Sequence, residues 1–236
     1  MALFLFKEGI MLNINIQLFG GRGANSGFGQ GINTGGDNSR VSAFYDKTDK
    51  YVGMSIHQFE NAVRDKSVEY VGLFDKNGNL IIAGTSNNKG AVAIPTGHPN
   101  FKDAITLTHN HPYQGGRIIG GSFSAADVQN HLRLGLKGET RAVSNGPNEN
   151  TYIFRAKKGV SQQTKRMIAV ADKMDNRYKS TAKKMLNKVR KDLSSQGKSL
   201  NGKDNQVYIG AAKKLWKSAD VSRFGYEYIE VNKSRW

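Results

Sequence analysis

The chain of 236 residues contains no cysteine. Disulfides and thiolate ligands are thereby excluded, and any bound metal must be held by histidine and carboxylate side chains. Long apolar runs are missing as well. The apolar stretch near the start, Ala2 to Phe6, is too short for a signal-peptide core and far below the ~18 residues of a membrane span. The sequence therefore reads as that of a soluble protein not exported by the usual route. Acidic residues are scarce towards the end: residues 1–154 hold 14 Lys and Arg against 12 Asp and Glu, whereas residues 155–236 hold 21 against 7. Nearly all of the formal net charge of +16 sits in that last third.

A chain of this length suggests one ordinary core with an appendage. Residues 20–38 are so rich in Gly, Asn and Ser that they cannot bury the apolar area that ordering requires. Residues 1–40 are accordingly read as a flexible leader, with Met11 as an alternative start to Met1. A core domain over residues 41–155 opens with a helix initiated at Ser55, in which Ile56, Phe59 and Val63 recur at near-helical spacing. Glu60 falls on its polar face. Two apolar runs around Asn77-Gly78 predict an antiparallel hairpin. The AVAI run at 91–94 is a further candidate for strand. A β-branched run ends at His111-Pro112, a Gly-rich loop follows, and a helix from Ser124 is brought to an end by Gly135 and Gly138. Strands are predicted near 139–143 and 151–155. Residues 156–236 read as a basic, mainly helical extension, with a long helix over 161–195, a shorter one over 207–217 and a final strand-like YEYIEV run. No internal repeat is evident.

Residues two apart on a strand share a face, so His109 and His111 can aim both imidazoles at one point. Such a pair also occurs in strands that hold no metal. Asp127, in the first turn of the following helix, can bring a carboxylate to the same point, giving three ligands and one open position, as in catalytic zinc sites. The pattern Ser124-Ala-Ala-Asp127 is equally a helix-capping sequence that need only satisfy free amides. Glu69 heads a strand whose neighbours Val68, Val71, Leu73 and Phe74 are apolar, and an acid in such a place is paired, functional or at a solvated strand end.

Taken together, Glu69, His109-Asn110-His111-Pro112 and Ser124-Ala-Ala-Asp127 resemble the signature of the JAB/MPN (JAMM) metalloprotease family, over roughly residues 41–155. The resemblance implies an α/β (α+β) fold, a mixed sheet flanked by helices. It implies a zinc ion held by His109, His111 and Asp127, and hydrolysis of peptide or isopeptide bonds. Glu69 would be the general base and Ser124 would hydrogen-bond the oxyanion, while Asn110 and Pro112 would shape the strand exit without taking part. One departure is the eleven residues between Pro112 and Ser124, about four or five more than the family's usual spacing, which could reposition Asp127 or cover the site. Ser122 is the alternative to Ser124, but no Asp lies three residues after it. His57, His98 and His131 read as surface histidines, with His131 alternatively supporting Asp127.

In the last third, Lys183, Lys184, Lys188, Arg190 and Lys191, with Lys213 and Lys214, could neutralise nucleic-acid phosphates, and Tyr178, Tyr208 and Trp216 could add base contacts. A solvated basic face over an aromatic core, or an acidic protein partner, accounts for the same residues. The leader MLNINIQLFGGRGANSG is similar to the starts of phage head-region proteins, and HNHP and FSAAD resemble JAMM-like segments of phage minor head proteins. This implies a phage protein, in the virion or host cytoplasm, that acts with head proteins during morphogenesis. A non-catalytic minor head or ejected protein that binds nucleic acid is the alternative. GGRGANSG lacks the flanking strand and helix of a dinucleotide fingerprint, and His-Asn-His is too compact for an HNH nuclease.

Overall fold

The structure, a computed structural model, describes residues 48–87, 92–114, 117–118, 122–144, 150–196, 214–217 and 219–232. The leader, part of the Gly-rich loop and most of the helix expected over 207–217 lie outside these. Helix α1 (Ile56–Val63) begins where Ser55 closes a capping box: its hydroxyl accepts from the Gln58 amide, and the Gln58 side chain accepts from the Ser55 amide. Strands β1 (Tyr70–Phe74) and β2 (Leu80–Thr85) form the expected antiparallel hairpin. Gly78 turns it with φ +80, a conformation that glycine adopts without steric cost. The Asp75 carboxylate accepts from the Asn77 and Asn79 amides, each at 2.9 Å. These bonds, Asn79's foremost, hold its pKa below the ordinary value.

Strand β3 (Thr106–His111) runs antiparallel to β1. Between Pro112 and Ser124 the chain forms a separate two-stranded hairpin of β4 (Tyr113–Gln114) and β5 (Arg117–Ile118), which takes up the extra residues there. Helix α2 (Ala125–Leu134) ends at Gly135, whose φ of 65 gives the left-handed stop expected from sequence. Strand β6 (Glu139–Ser144) then lies parallel to β3, a pairing that requires a crossover element such as α2. Strand β7 (Asn150–Ala156), the 31-residue helix α3 (Thr164–Ser194), the short α4 (Ala219–Arg223) and strand β8 (Tyr226–Asn232) complete the described chain. The six-stranded mixed sheet has the order β2-β1-β3-β6-β7-β8. Residues 92–95, in the AVAI run and just after it, form no strand.

Alternation along β3 divides the molecule into two layers around the sheet. On one side Phe59 and Val63 of α1 pack with Phe74, Leu80 and Val143. The approach is so close that a Cβ on Gly72 would lie 2.7 Å from the Phe59 ring. On the other side Val71, Leu73 and Leu107 pack with Leu134 and Leu136. There, too, Val128 and Leu132 of α2 join Phe154, Met167, Ala171, Met174 and Trp216. The fold is therefore the α/β class expected, a mixed sheet flanked by helices. The residues after 156 share this core, through α3 on α2 and through β8, which pairs with β7.

Glu60 corrects the sequence reading. It does not face solvent but is 2% exposed. Its carboxylate accepts from Arg141 Nε at 2.5 Å, from Arg141 Nη2 at 3.0 Å and from the Thr108 hydroxyl at 3.0 Å. Glu139 takes the remaining nitrogen of the fork at 2.6 Å and also faces Arg155, which bonds Glu227. A row of alternating charge thus runs from α1 across β6 and β7 to β8. Burial alone would lower the Arg141 pKa, but Glu60 and then Glu139 reverse this and raise it.

Candidate metal centre

The C-terminal end of β3 meets the first turn of α2 on the sheet side opposite α1. His109 and His111 are both fully buried, and their Nε2 atoms lie 2.9 Å apart. Asp127 comes to the same point: its Oδ1 is 3.5 Å from His109 Nε2 and its Oδ2 is 3.9 Å from His111 Nε2. The three residues offer one ligand atom each, all within 4.8 Å of one another, and could hold a metal ion.

The capping reading of Ser124-Ala-Ala-Asp127 and the ligand reading turn out to be compatible. Ser124 is the N-cap of α2, and its hydroxyl accepts from the Asp127 amide at 3.2 Å. Asp127 returns the bond through Oδ2, which accepts from the Ser124 amide at 2.7 Å. That leaves Oδ1 buried, accepting no hydrogen bond from the described residues and facing His109. One oxygen anchors the carboxylate and the other is left to the histidines. Burial pushes the Asp127 pKa up, but His109, then His111 and the Ser124 amide outweigh it, so the carboxyl sits below its ordinary value. The long loop has not displaced Asp127. Ser122 is not in the capping register; its hydroxyl donates to the Tyr228 hydroxyl at 2.7 Å.

Glu69 is fully buried and stands immediately before β1, so the solvated strand end is excluded. Val71 pairs with His109, and alternation puts position 69 on the side of the sheet that carries both histidines. Its backbone is held from two directions. The Thr85 hydroxyl donates to the Glu69 carbonyl at 2.7 Å. Asn110 spans the residue, its Oδ1 accepting from the Tyr70 amide at 2.7 Å and its Nδ2 donating to the Val68 carbonyl at 3.1 Å.

Sequence reasoning missed this clamp. Asn110 alternates away from the two histidines, and its contribution is to fix the backbone around the acid, which no spacing rule announces. A polar residue between two inward-facing histidines, at a position that must be buried, was the available signal.

The remaining histidines divide. His57 is exposed, and His98 caps a short 3-10 turn, accepting from the Asn100 amide. His131 is not a surface residue: it is 3% exposed, lies edge-on to Phe154 with ring centroids 5.8 Å apart, and its Nδ1 has no hydrogen-bond partner among the described residues. Burial pushes its pKa down from 6.5 to about 4. Above pH 6.5 both the folded and unfolded states are neutral at this residue. As pH falls from 6.5 towards 4 the unfolded chain binds the proton first, so His131 removes stability, about 3 kcal/mol in full. Urea unfolding at pH 7 and pH 4 should show a loss larger by about that amount in the natural chain than in His131→Gln. Equal pH dependence in the two would refute it.

Of the aromatic residues assigned to base contacts, Trp216 does not serve. Trp216 is 2% exposed and donates its indole N–H to the Phe123 carbonyl at 2.7 Å, which makes it part of the core. Tyr208 and the Tyr178 side chain lie outside the described residues. Lys183, Lys184, Lys188, Arg190 and Lys191 are all exposed on α3, and none belongs to the buried group described above. No family model, curated protein or solved structure matches the chain.

Proposed function

We propose that the chain is a zinc-dependent hydrolase of peptide or isopeptide bonds. The observation that carries this reading is the convergence of three buried donor atoms from His109, His111 and Asp127 beside a strand headed by the buried Glu69. Two nitrogens and one oxygen around a tetrahedral zinc, each at ~2.0–2.1 Å, would stand about 3.3 Å apart. His109 Nε2 stands 2.9 Å from His111 Nε2 and 3.5 Å from Asp127 Oδ1, on either side of that value, and one ligand atom from each of the three residues lies within 4.8 Å of the others. The donor set is the imidazole and carboxylate type that zinc accepts, and three protein ligands leave a position open for chemistry. One feature departs from common practice: His109 Nδ1 is buried with no hydrogen-bond partner among the described residues, where a ligating histidine ordinarily donates its second nitrogen. Its orientation is set by packing, including an edge-on contact with the His111 ring at 4.8 Å.

When bound, the ion would supply Lewis acidity, polarising the amide carbonyl and lowering the pKa of water. The other roles fall to the chain itself. Glu69 would take a proton from water as the water oxygen bonds to the carbonyl carbon. It would return that proton to the nitrogen as the C–N bond breaks, leaving a carboxylic acid and an amine, between which the second proton of the water passes to give carboxylate and ammonium. The Ser124 hydroxyl, whose oxygen already accepts from the Asp127 amide, retains a proton with which to stabilise the negative charge on the carbonyl oxygen. Action in a phage head, on head proteins or peptides, is the setting suggested by the sequence of residues 11–27 together with the HNHP and FSAAD strings.

The test is the metal content of protein purified without added metal, set against a His109→Ala, His111→Ala double variant. Close to one zinc per chain is expected, with less than a tenth of that in the variant, together with cleavage of at least one member of a peptide and isopeptide panel by the zinc-loaded protein alone. Equal, trace zinc in both proteins would overturn the proposal.

A further inference from the structure

The outward face of α3 has no part in the hydrolase reading, yet it is the most strongly charged surface described. Among the described side chains of this helix eight basic residues are exposed: Lys165, Arg166, Lys173, Lys183, Lys184, Lys188, Arg190 and Lys191. At 3.6 residues per turn they fall within an arc of roughly 160°, and from first to last they extend about 39 Å along the axis. The opposite arc carries the buried Met167, Ala171 and Met174, with the half-buried Met185 and Val189 in the same phase. Packing therefore fixes the direction of the charge, which must point away from the core.

Two acids on the helix are exposed in the described residues, Asp172 and Asp192. Asp172 lies within the basic arc but is engaged from α2, by Gln129 Nε2 at 2.5 Å and Arg133 Nη2 at 3.6 Å. Asp192 falls in the opposite arc. The described acids of the helix thus do not cancel the field of the row.

We propose that this face binds the phosphate backbone of double-stranded nucleic acid without reading its sequence. The kind of partner follows from what accompanies the charge. Single strands are held by aromatic stacking platforms, and protein partners by buried aromatic or apolar anchors. A bilayer surface takes up the apolar face of an amphipathic helix. Among the described residues the exposed large hydrophobics are Val52 and Val160, neither of them on α3, and the apolar face of α3 is already packed. What remains among the described residues is a row of cations without an anchor, which suits a regular, rigid line of negative charge. A duplex presents one charge per ~1.7 Å of its axis.

The experiment is equilibrium binding of a random-sequence 20-base-pair DNA duplex by the full chain, from 50 to 200 mM salt. Affinity should fall by at least about 10³-fold over that range. Changing Lys173, Lys184, Lys188 and Lys191 to Gln should lower the slope of log affinity against log salt by about 3 to 4. A second set, Lys165, Arg166, Lys183 and Arg190 to Gln, should do the same, so the result does not hang on one variant's folding. A control with the same charge change elsewhere, Lys66, Lys76, Lys102 and Lys137 to Gln, all exposed, should leave the slope within about one of the natural value. Equal losses in the control would mean attraction by net charge with no site, and would overturn the proposal. So would absence of duplex binding, or tighter binding of a single strand of the same length.

Discussion

Replacing Glu69 by Gln should lower amide hydrolysis by about 10²- to 10⁴-fold, the usual worth of a positioned general base, while leaving bound zinc unchanged. The substitution keeps the size of a fully buried side chain and removes only its ability to take up and return a proton. The backbone restraints at this position come from the Thr85 hydroxyl and the Asn110 carboxamide, neither of which depends on the Glu69 charge, so the fold should tolerate the change. Metal content and turnover measured on the same preparations separate the alternatives. Zinc lost along with activity would make Glu69 a determinant of the metal site and not a base. Full activity in the variant would remove Glu69 from the mechanism altogether.

The largest effect on stability is expected at Glu60. Truncating it to Ala should cost about 3–5 kcal/mol, because Arg141 is then left charged and buried beside an emptied site. Arg141 would keep Glu139, at 2.6 Å, which places the loss towards the lower end of that range. Replacing both partners with apolar residues, as in Glu60→Leu with Arg141→Met, should recover most of it, since desolvation of the pair offsets much of its attraction. Glu139 would still face Arg155 in that double variant. Urea unfolding of the two single variants and the double variant gives the coupling energy directly. Single variants within 1 kcal/mol of the natural chain would show that the pair contributes little. The Thr108 hydroxyl bonds the same carboxylate and precedes His109 on β3, so Glu60→Ala should also weaken metal binding.

Much of the fold was legible because its elements carry local signatures. Ser55 and Gln58 form a capping box through side chains three residues apart, Asn77-Gly78 supplies a turn, and Gly135 takes the left-handed conformation that stops α2. Each of these acts within a few residues of chain, where sequence order and spatial order coincide. Glu60 was misplaced for the complementary reason. Helical phase puts it beside Phe59, and whether a polar side chain there meets solvent or a guanidinium depends on Arg141, 81 positions away in sequence. His131 was misjudged likewise, since it is buried beside Phe154 of β7, a neighbour that no local pattern announces.

At the candidate site the division is the same. Residue order alone established that His109 and His111 share one face, because strand alternation is a property of the backbone. It determined also that Ser124 and Asp127 open a helix, because capping is local. That this helix start reaches the histidines with Asp127 Oδ1 to spare, and that position 69 comes to the same side of the sheet, clamped by Asn110, is a result of long-range packing. The parallel β3–α2–β6 connection and the β1–β3 register set those distances. They result from packing between distant segments, which residue spacing does not encode.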